Sequence, residues 1–205
     1  MEYDSALIAG KLRRWEGYLR SFALPEWEDI PDIGLYMEQV TELLGQYLDY
    51  LPPELREEKV ITPTAINNYV RTGLMPGPVK KRHYRIHIAY LIMICTLKQS
   101  LSLAMLQKLL PAGLCEDEAR EVYSSFVRRH SKSTDYFVGE VRSAAGEIFN
   151  EDAAGGNISS DVADLIAGAA VIAAFSRLLA EKLILLNGRD LSNGGSIEIE
   201  QHRRG

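Results

Sequence analysis

The chain has 205 residues, 46% of them hydrophobic and 25% charged, which is the balance of a globular protein with one domain or two small ones and excludes a disordered or collagen-like chain. Two cysteines, Cys95 and Cys115, with no CxxC pair exclude a disulfide framework and imply a reduced, cytoplasmic setting. The net charge of −5, taken whole, argues against a nucleic-acid partner, but its distribution along the chain reverses that argument.

Helical periodicity dominates. The N-terminus interleaves charged and apolar residues, unlike a signal peptide. Residues 4–22 predict an amphipathic helix with Leu7, Ile8, Leu12, Trp15, Leu19 and Phe22 on one side. Leu24 to Asp32 reads as a connector. Asp32 caps a predicted helix over 33–50 with a stripe of Leu35, Tyr36, Val40, Leu43, Leu44, Tyr47 and Leu48. Pro52 and Pro53 end it, and 54–61 is a charged connection. Thr62 is a good N-cap, Pro63 fits the first helical position, and Gly73-Leu74 fits a Schellman stop, which brackets a short helix over 63–72. Gly77 to Tyr84 is a basic loop with the length of a tight two-strand wing. Apolar residues then predict a helix over 85–99, a short one over 102–110, and one long helix or two over 116–149 with a break near His130–Thr134. A loop over 150–160 leads to a last helix from Ser160 or Asp161 to about Leu186, ended by Asn187-Gly188, and 188–205 reads as a frayed tail. Nothing alternates with a period of two, so the expected class is all-α and multi-helical.

The apolar runs Ile88–Cys95 and Leu165–Phe175 are shorter than the roughly 18–20 residues that cross a bilayer. They read as buried helix segments, and no membrane partner is expected. Small residues (Ala167, Gly168, Ala169, Ala170, Ala173, Ala174) let a neighbouring helix approach the last helix closely. That neighbour is either another helix of this chain or a second subunit, so a homodimer is compatible with the stripe.

Charge is segregated. From Lys59 to Cys115, 57 residues without Asp or Glu, stand Lys59, Arg71, Lys80, Lys81, Arg82, Arg85, Lys98 and Lys108, a net of +8. The remainder holds 15 basic and 28 acidic residues, a net of −13. A surface that approaches phosphates excludes carboxylates. Burial alone explains missing acids within 86–97 but not the uniformly basic positions around them. His83 and His87 lack a third ligand for a metal and read as phosphate contacts or solvent-exposed groups. Cys95 reads as a small hydrophobe, and Cys115 lies at a helix start. No nucleophile elbow, zincin, P-loop or paired-carboxylate motif is present, so neither an enzyme nor a cofactor is expected.

The stretch Thr62-Pro63-Thr64-Ala65-Ile66-Asn67-Asn68-Tyr69-Val70-Arg71-Thr72-Gly73-Leu74-Met75-Pro76 resembles the recognition helix and exit of the MerR-like helix-turn-helix regulators. The basic loop ending in Tyr84 resembles their wing. The runs from Ile88 to Ile94 and Leu101 to Leu110 resemble the helices that follow. Leu24-Pro25-Glu26-Trp27, Ile30 to Ile33, Leu35-Tyr36-Met37, Ile61-Thr62, Asn67-Asn68-Tyr69, Lys80-Lys81 and Ala89-Tyr90-Leu91 resemble a family of bacterial proteins defined by a domain of unknown function, DUF1836.

These resemblances imply a MerR-like winged helix-turn-helix packed on a helical body. The division is 1–32 for the N-terminal helix and connector, 33–112 for the DNA-binding region, 113–187 for the C-terminal helices and 188–205 for the tail. Double-stranded DNA is the implied partner, with an effector that the sequence does not name. Thr64, Asn67, Asn68 and Arg71 would face the groove, with Asn suited to adenine and Arg to guanine or phosphate. Lys80, Lys81, Arg82, Tyr84 and Arg85 would hold the backbone. Tyr69 has two roles open to it, phosphate contact and core packing. Asn67 and Asn68 stand where the family pattern has an Arg and an aromatic residue. The alternative is a helical protein-interaction module with a degenerate helix-turn-helix.

Overall fold

A helix with apolar residues on every side must be enclosed on every side, and Arg85–Leu97 is such a helix. The structure, a computed structural model, describes residues 3–49, 61–146 and 159–194. Among them are seven α-helices: α1 (Ser5–Ser21), α2 (Met37–Tyr47), α3 (Pro63–Arg71), α4 (Arg85–Leu97), α5 (Leu103–Leu109), α6 (Glu116–Ala144) and α7 (Ser159–Leu185). A single 3-10 turn, Trp27–Asp29, lies between α1 and α2. The expected all-α class is correct, and among the described residues the only extended pairing is two isolated bridges, Leu35 with His83 and Val79 with Arg82.

Every residue of α4 from His87 to Cys95 is buried. Around it pack Val40 and Leu44 of α2, Ile66 and Tyr69 of α3, Leu106 of α5, and Ala119, Tyr123 and Val127 of α6. The connector adds Leu24, Trp27 and Ile30. Trp27 lies against the Tyr123 ring, and the Tyr123 hydroxyl donates to the Pro25 carbonyl at 2.8 Å. α1 lies along α6, with Trp15 edge-on to Phe137 and Phe22 edge-on to His130.

Several expectations need correction. The helix over 33–50 begins only at Met37, because Leu35 is extended and exchanges both backbone hydrogen bonds with His83. Its cap is Tyr36, whose N–H donates to Gln39 Oε1, and not Asp32. α6 runs unbroken through His130–Thr134. Leu7 faces solvent, and Ala9 is the α1 residue that is fully buried. Residues 189–194 form a turn in which the Asp190 carboxylate accepts from the Ser192 and Asn193 N–H groups. The charged connection over 54–60 and the loop over 150–158 lie outside the described residues.

The largest correction concerns Leu165–Phe175, which is not buried. Ile166, Val171, Ile172 and Phe175 are 50–67% exposed. Asp161–Leu185 is long and apolar enough to cross a membrane, with a mean hydropathy of 1.8 in its most apolar window. The run-length argument missed it because Asp164 and Arg177 interrupt an otherwise apolar stretch.

If α4 is the post around which the other helices stand, truncating it in the middle is costly. Leu91→Ala is expected to lower unfolding free energy by about 2–5 kcal/mol, read by chemical denaturation. A loss below about 1 kcal/mol would contradict the fully enclosed position of Leu91.

Candidate nucleic-acid interface

α3 is short and punctuated at both ends. The Thr62 hydroxyl accepts from the Ala65 N–H at 3.2 Å, and Pro63 occupies the first turn. At the other end the Leu74 N–H donates to the Tyr69 carbonyl and the Gly73 N–H to the Val70 carbonyl, the two bonds of a Schellman stop. Gly73 has φ +71°, the left-handed conformation that favours glycine. α5 ties this end down, because the Gln107 amide donates to the Thr72 carbonyl at 2.9 Å.

Burial divides the α3 side chains. Ile66 and Tyr69 point into the core, and Ala65 and Val70 are half-buried. Thr64, Asn67 and Arg71 are exposed, and Asn68 is half-buried. The Arg71 guanidinium donates to Asn68 Oδ1 at 2.7 Å, which holds its planar fork on the outer face. Tyr69 is only 4% exposed, and burial followed by the nearby Cys95 pushes its hydroxyl pKa up. Of its two open roles, the structure gives it core packing.

The basic loop is a minimal hairpin. Val79 and Arg82 exchange both backbone hydrogen bonds at 3.0 Å, which leaves Lys80 and Lys81 as the two turn residues. Their φ values are 49° and 64°. Two successive positive φ angles are the mark of a type I′ turn, where Asn-Gly is the usual choice. A non-glycine residue there costs about 1–2 kcal/mol. Both lysines are exposed at the tip, and among the described residues no carboxylate pairs with either.

Not every cation in the basic window reaches outward. Arg82 donates to the Gly34 carbonyl at 2.9 Å and to the Tyr36 hydroxyl at 2.7 Å, with its guanidinium 4.3 Å above the Tyr36 ring. Arg85 donates to the Ile30 carbonyl at 2.8 Å and lies over Trp27. Both fix the connector against the hairpin, an intramolecular role that the sequence did not indicate. Tyr84 is half-buried at the start of α4, beside His87. Gly34 makes this junction possible, since a Cβ there would meet Arg82 Cδ at 2.7 Å. Lys59 lies outside the described residues.

The two histidines are buried, contrary to the expectation of phosphate contact or exposure. His87 Nδ1 accepts from the Tyr84 N–H, and its Nε2–H donates to the Gly77 carbonyl, each at 2.9 Å. That pairing fixes a neutral tautomer and fastens the loop after α3 to the start of α4. His83 is 2% exposed, and among the described residues neither of its ring nitrogens meets the geometry of a hydrogen bond, its neighbours being the His87 ring and the Leu35 backbone. Its pKa is lowered by burial and then by the neighbouring His87. His130, packed between Phe22 and Phe126, is lowered by burial. No cluster of three or more potential metal ligands occurs among the described residues.

A histidine that stays neutral when folded but protonates when unfolded favours the unfolded chain once pH falls below its ordinary value near 6.5. Stability is therefore full above that pH and falls from pH 7 towards pH 5. His83→Leu removes two unpartnered buried nitrogens and is expected to keep more of its melting temperature at pH 5 than the parent. Equal losses in both proteins would exclude His83 as a source of the acid sensitivity.

No curated protein and no solved structure matches this chain. Residues 25–126 match the model of a family described as Domain of unknown function (DUF1836). The matched segment runs from the connector through α2, α3, the hairpin, α4 and α5 into α6, so it contains the whole candidate interface. Over that segment, just under half of its length, the chain is similar to the DUF1836 family.

Proposed function

We propose that this protein is a DNA-binding transcriptional regulator whose α3 enters the major groove of a duplex as the recognition helix of a MerR-like helix-turn-helix, flanked by the hairpin as a wing. The observation that carries this reading is the hairpin tip. Lysines occupy both left-handed turn positions, although Asn-Gly would fit there without strain. Strain held at an exposed site motivates a functional reading, and paired ammonium groups without carboxylate partners suit a phosphate backbone.

In this reading Thr64 and Asn67 face base edges and Arg71, steadied by Asn68, reaches guanine or phosphate. Lys80 and Lys81 hold the flanking backbone. Of the five cations in the expected site, Arg82 and Arg85 serve the fold, so three per copy remain for phosphates: Arg71, Lys80 and Lys81. Each neutralised phosphate contributes about −0.9 to the log–log salt slope, which gives about −3 per copy.

The test is a random-duplex binding selection with the purified chain, followed by salt titration on the selected sequence. K80E/K81E is expected to weaken binding to all sequences alike and to flatten the slope by about 2 per copy. Asn67→Ala is expected to change sequence preference at a single position, by about 1–3 kcal/mol. Failure to enrich any duplex, or binding indifferent to salt, would overturn the proposal in favour of a protein-interaction module with a degenerate helix-turn-helix.

A second variant separates strain from charge. Changing Lys80 to Asn and Lys81 to Gly is expected to raise unfolding free energy by about 1–2 kcal/mol while weakening duplex binding. Unchanged or lower stability would remove the strain argument. Higher stability with undiminished binding would remove the wing from the interface.

A further inference from the structure

A cavity of about 530 Å³ opens between the C-terminal half of α4, the end of α5 and the middle of α6. That volume lies within the roughly 300–1,000 Å³ of small-molecule sites. Met93 and Leu97 line it from α4, and Val122 and Phe126 from α6. Residues four apart share a helix face, so each wall is a single apolar strip. Leu109 and Leu110 close one side from α5. Met93 is buried at the floor, 2% exposed, whereas Leu97, Val122 and Phe126 are half-buried.

One edge of the cavity is polar. Ser125, Arg129 and Ser133 follow each other every fourth residue of α6, and all three line it. Arg129 and Ser133 are exposed. Among the described residues Arg129 has no ion pair and no hydrogen bond, and no Asp or Glu lines the cavity. His130, which also lines it, is packed between Phe22 and Phe126, and burial lowers its pKa. Its imidazole is therefore neutral near pH 7, and the Arg129 guanidinium is the one charge the lining carries. A second groove along α6 sets Asp117 and Glu121 beside Arg120 and Arg128, and so expresses no preference of sign.

We infer that the cavity between α4, α5 and α6 is a binding site for an amphipathic monocarboxylate, its apolar body between the two strips and its carboxylate on Arg129.

Each part of that ligand answers a feature of the site. A guanidinium presents a planar fork that meets a carboxylate with two parallel hydrogen bonds. Ser125 and Ser133, one turn before and one turn after Arg129, set hydroxyl donors on either side of it. One cation balances one negative charge, and the N–H groups of a helix interior are already bonded within the helix, so the site has no further donors for a phosphate dianion. An apolar cation would face Arg129 with like charge, and an uncharged apolar molecule would leave it unused. At the floor Met93 is an adaptable side chain, which suits a flexible hydrocarbon body better than one rigid shape.

The test is calorimetric titration of the full chain with decanoate, decanol and decylammonium, without DNA. Its outcome is therefore independent of the duplex-binding proposal. Decanoate is expected to saturate at one molecule per chain and to bind at least about tenfold tighter than either analogue. Arg129→Gln, a change at an exposed position, is expected to remove that advantage, to leave the affinity for decanol unchanged and to keep the melting temperature. The place of binding is read from the methionine methyl spectrum, with the Met93 signal assigned by Met93→Leu. Because Met93 is enclosed, its signal is expected to move only when the cavity is filled. Absence of saturable decanoate binding would overturn the inference, as would a Met93 signal unmoved at saturation. Equal affinity for the three compounds, or decanoate binding indifferent to Arg129→Gln, would show adsorption on exposed apolar surface and overturn it too.

Discussion

Enclosure of α4 is the constraint from which the rest of the described architecture follows. Nine consecutive buried positions from His87 to Cys95 cannot be satisfied by one neighbouring helix, since a single helix covers only one stripe. α2, α3, α5, α6 and the Leu24–Ile30 connector therefore each contribute a side of the sheath. The direction of α3 is a consequence. Its buried pair, Ile66 and Tyr69, is drawn to α4, and the polar remainder of the nine-residue helix is left outside. The outward face of Thr64, Asn67 and Arg71 is thus set by the needs of the core before any ligand is considered.

The same helix explains how the hairpin is held. A two-residue turn closed by one bridge has little stability of its own. Here it is tied at several points to elements fixed by α4. His87 reaches back to Gly77, His83 pairs with Leu35, and Arg82 spans Gly34 and Tyr36. Two of the three ties use side chains that a count of positive charge or of exposed polar groups would have assigned to a ligand. The basic window is real, but part of its charge is internal scaffolding. The tip lysines have no such role, so their presence in strained positions has no explanation from within the fold.

Local chemistry was legible in the sequence wherever the signal was local. The Thr62-Pro63 start and Gly73-Leu74 stop of α3 and the glycine stop after α7 depend on neighbours within a few residues, and each stands where its residues place it. Long-range pairing was not legible. The extended conformation of Leu35 depends on His83, 48 residues away, and no property of the Ile33–Tyr36 run announces it. The destination of Arg82 and Arg85 was hidden for the same reason: an arginine's sequence neighbours do not reveal whether a carbonyl from a distant connector waits for it. Tyr69 could be narrowed to two roles, and burial against α4 decided between them.

α7 shows the opposite failure. Its residues spell out a helix, and its stripe of small and branched side chains reads as something to be buried, yet among the described residues nothing covers its middle. Natural sequences are mostly self-consistent across levels, and a local rule broken without compensation marks a place where something outside the chain enters the balance. Two such places occur here: lysines strained into a turn that suits asparagine and glycine, and an apolar helix left in water. The first asks for a polyanion, because only charge distinguishes those residues from better turn formers. The second asks for an apolar cover that the described residues do not supply.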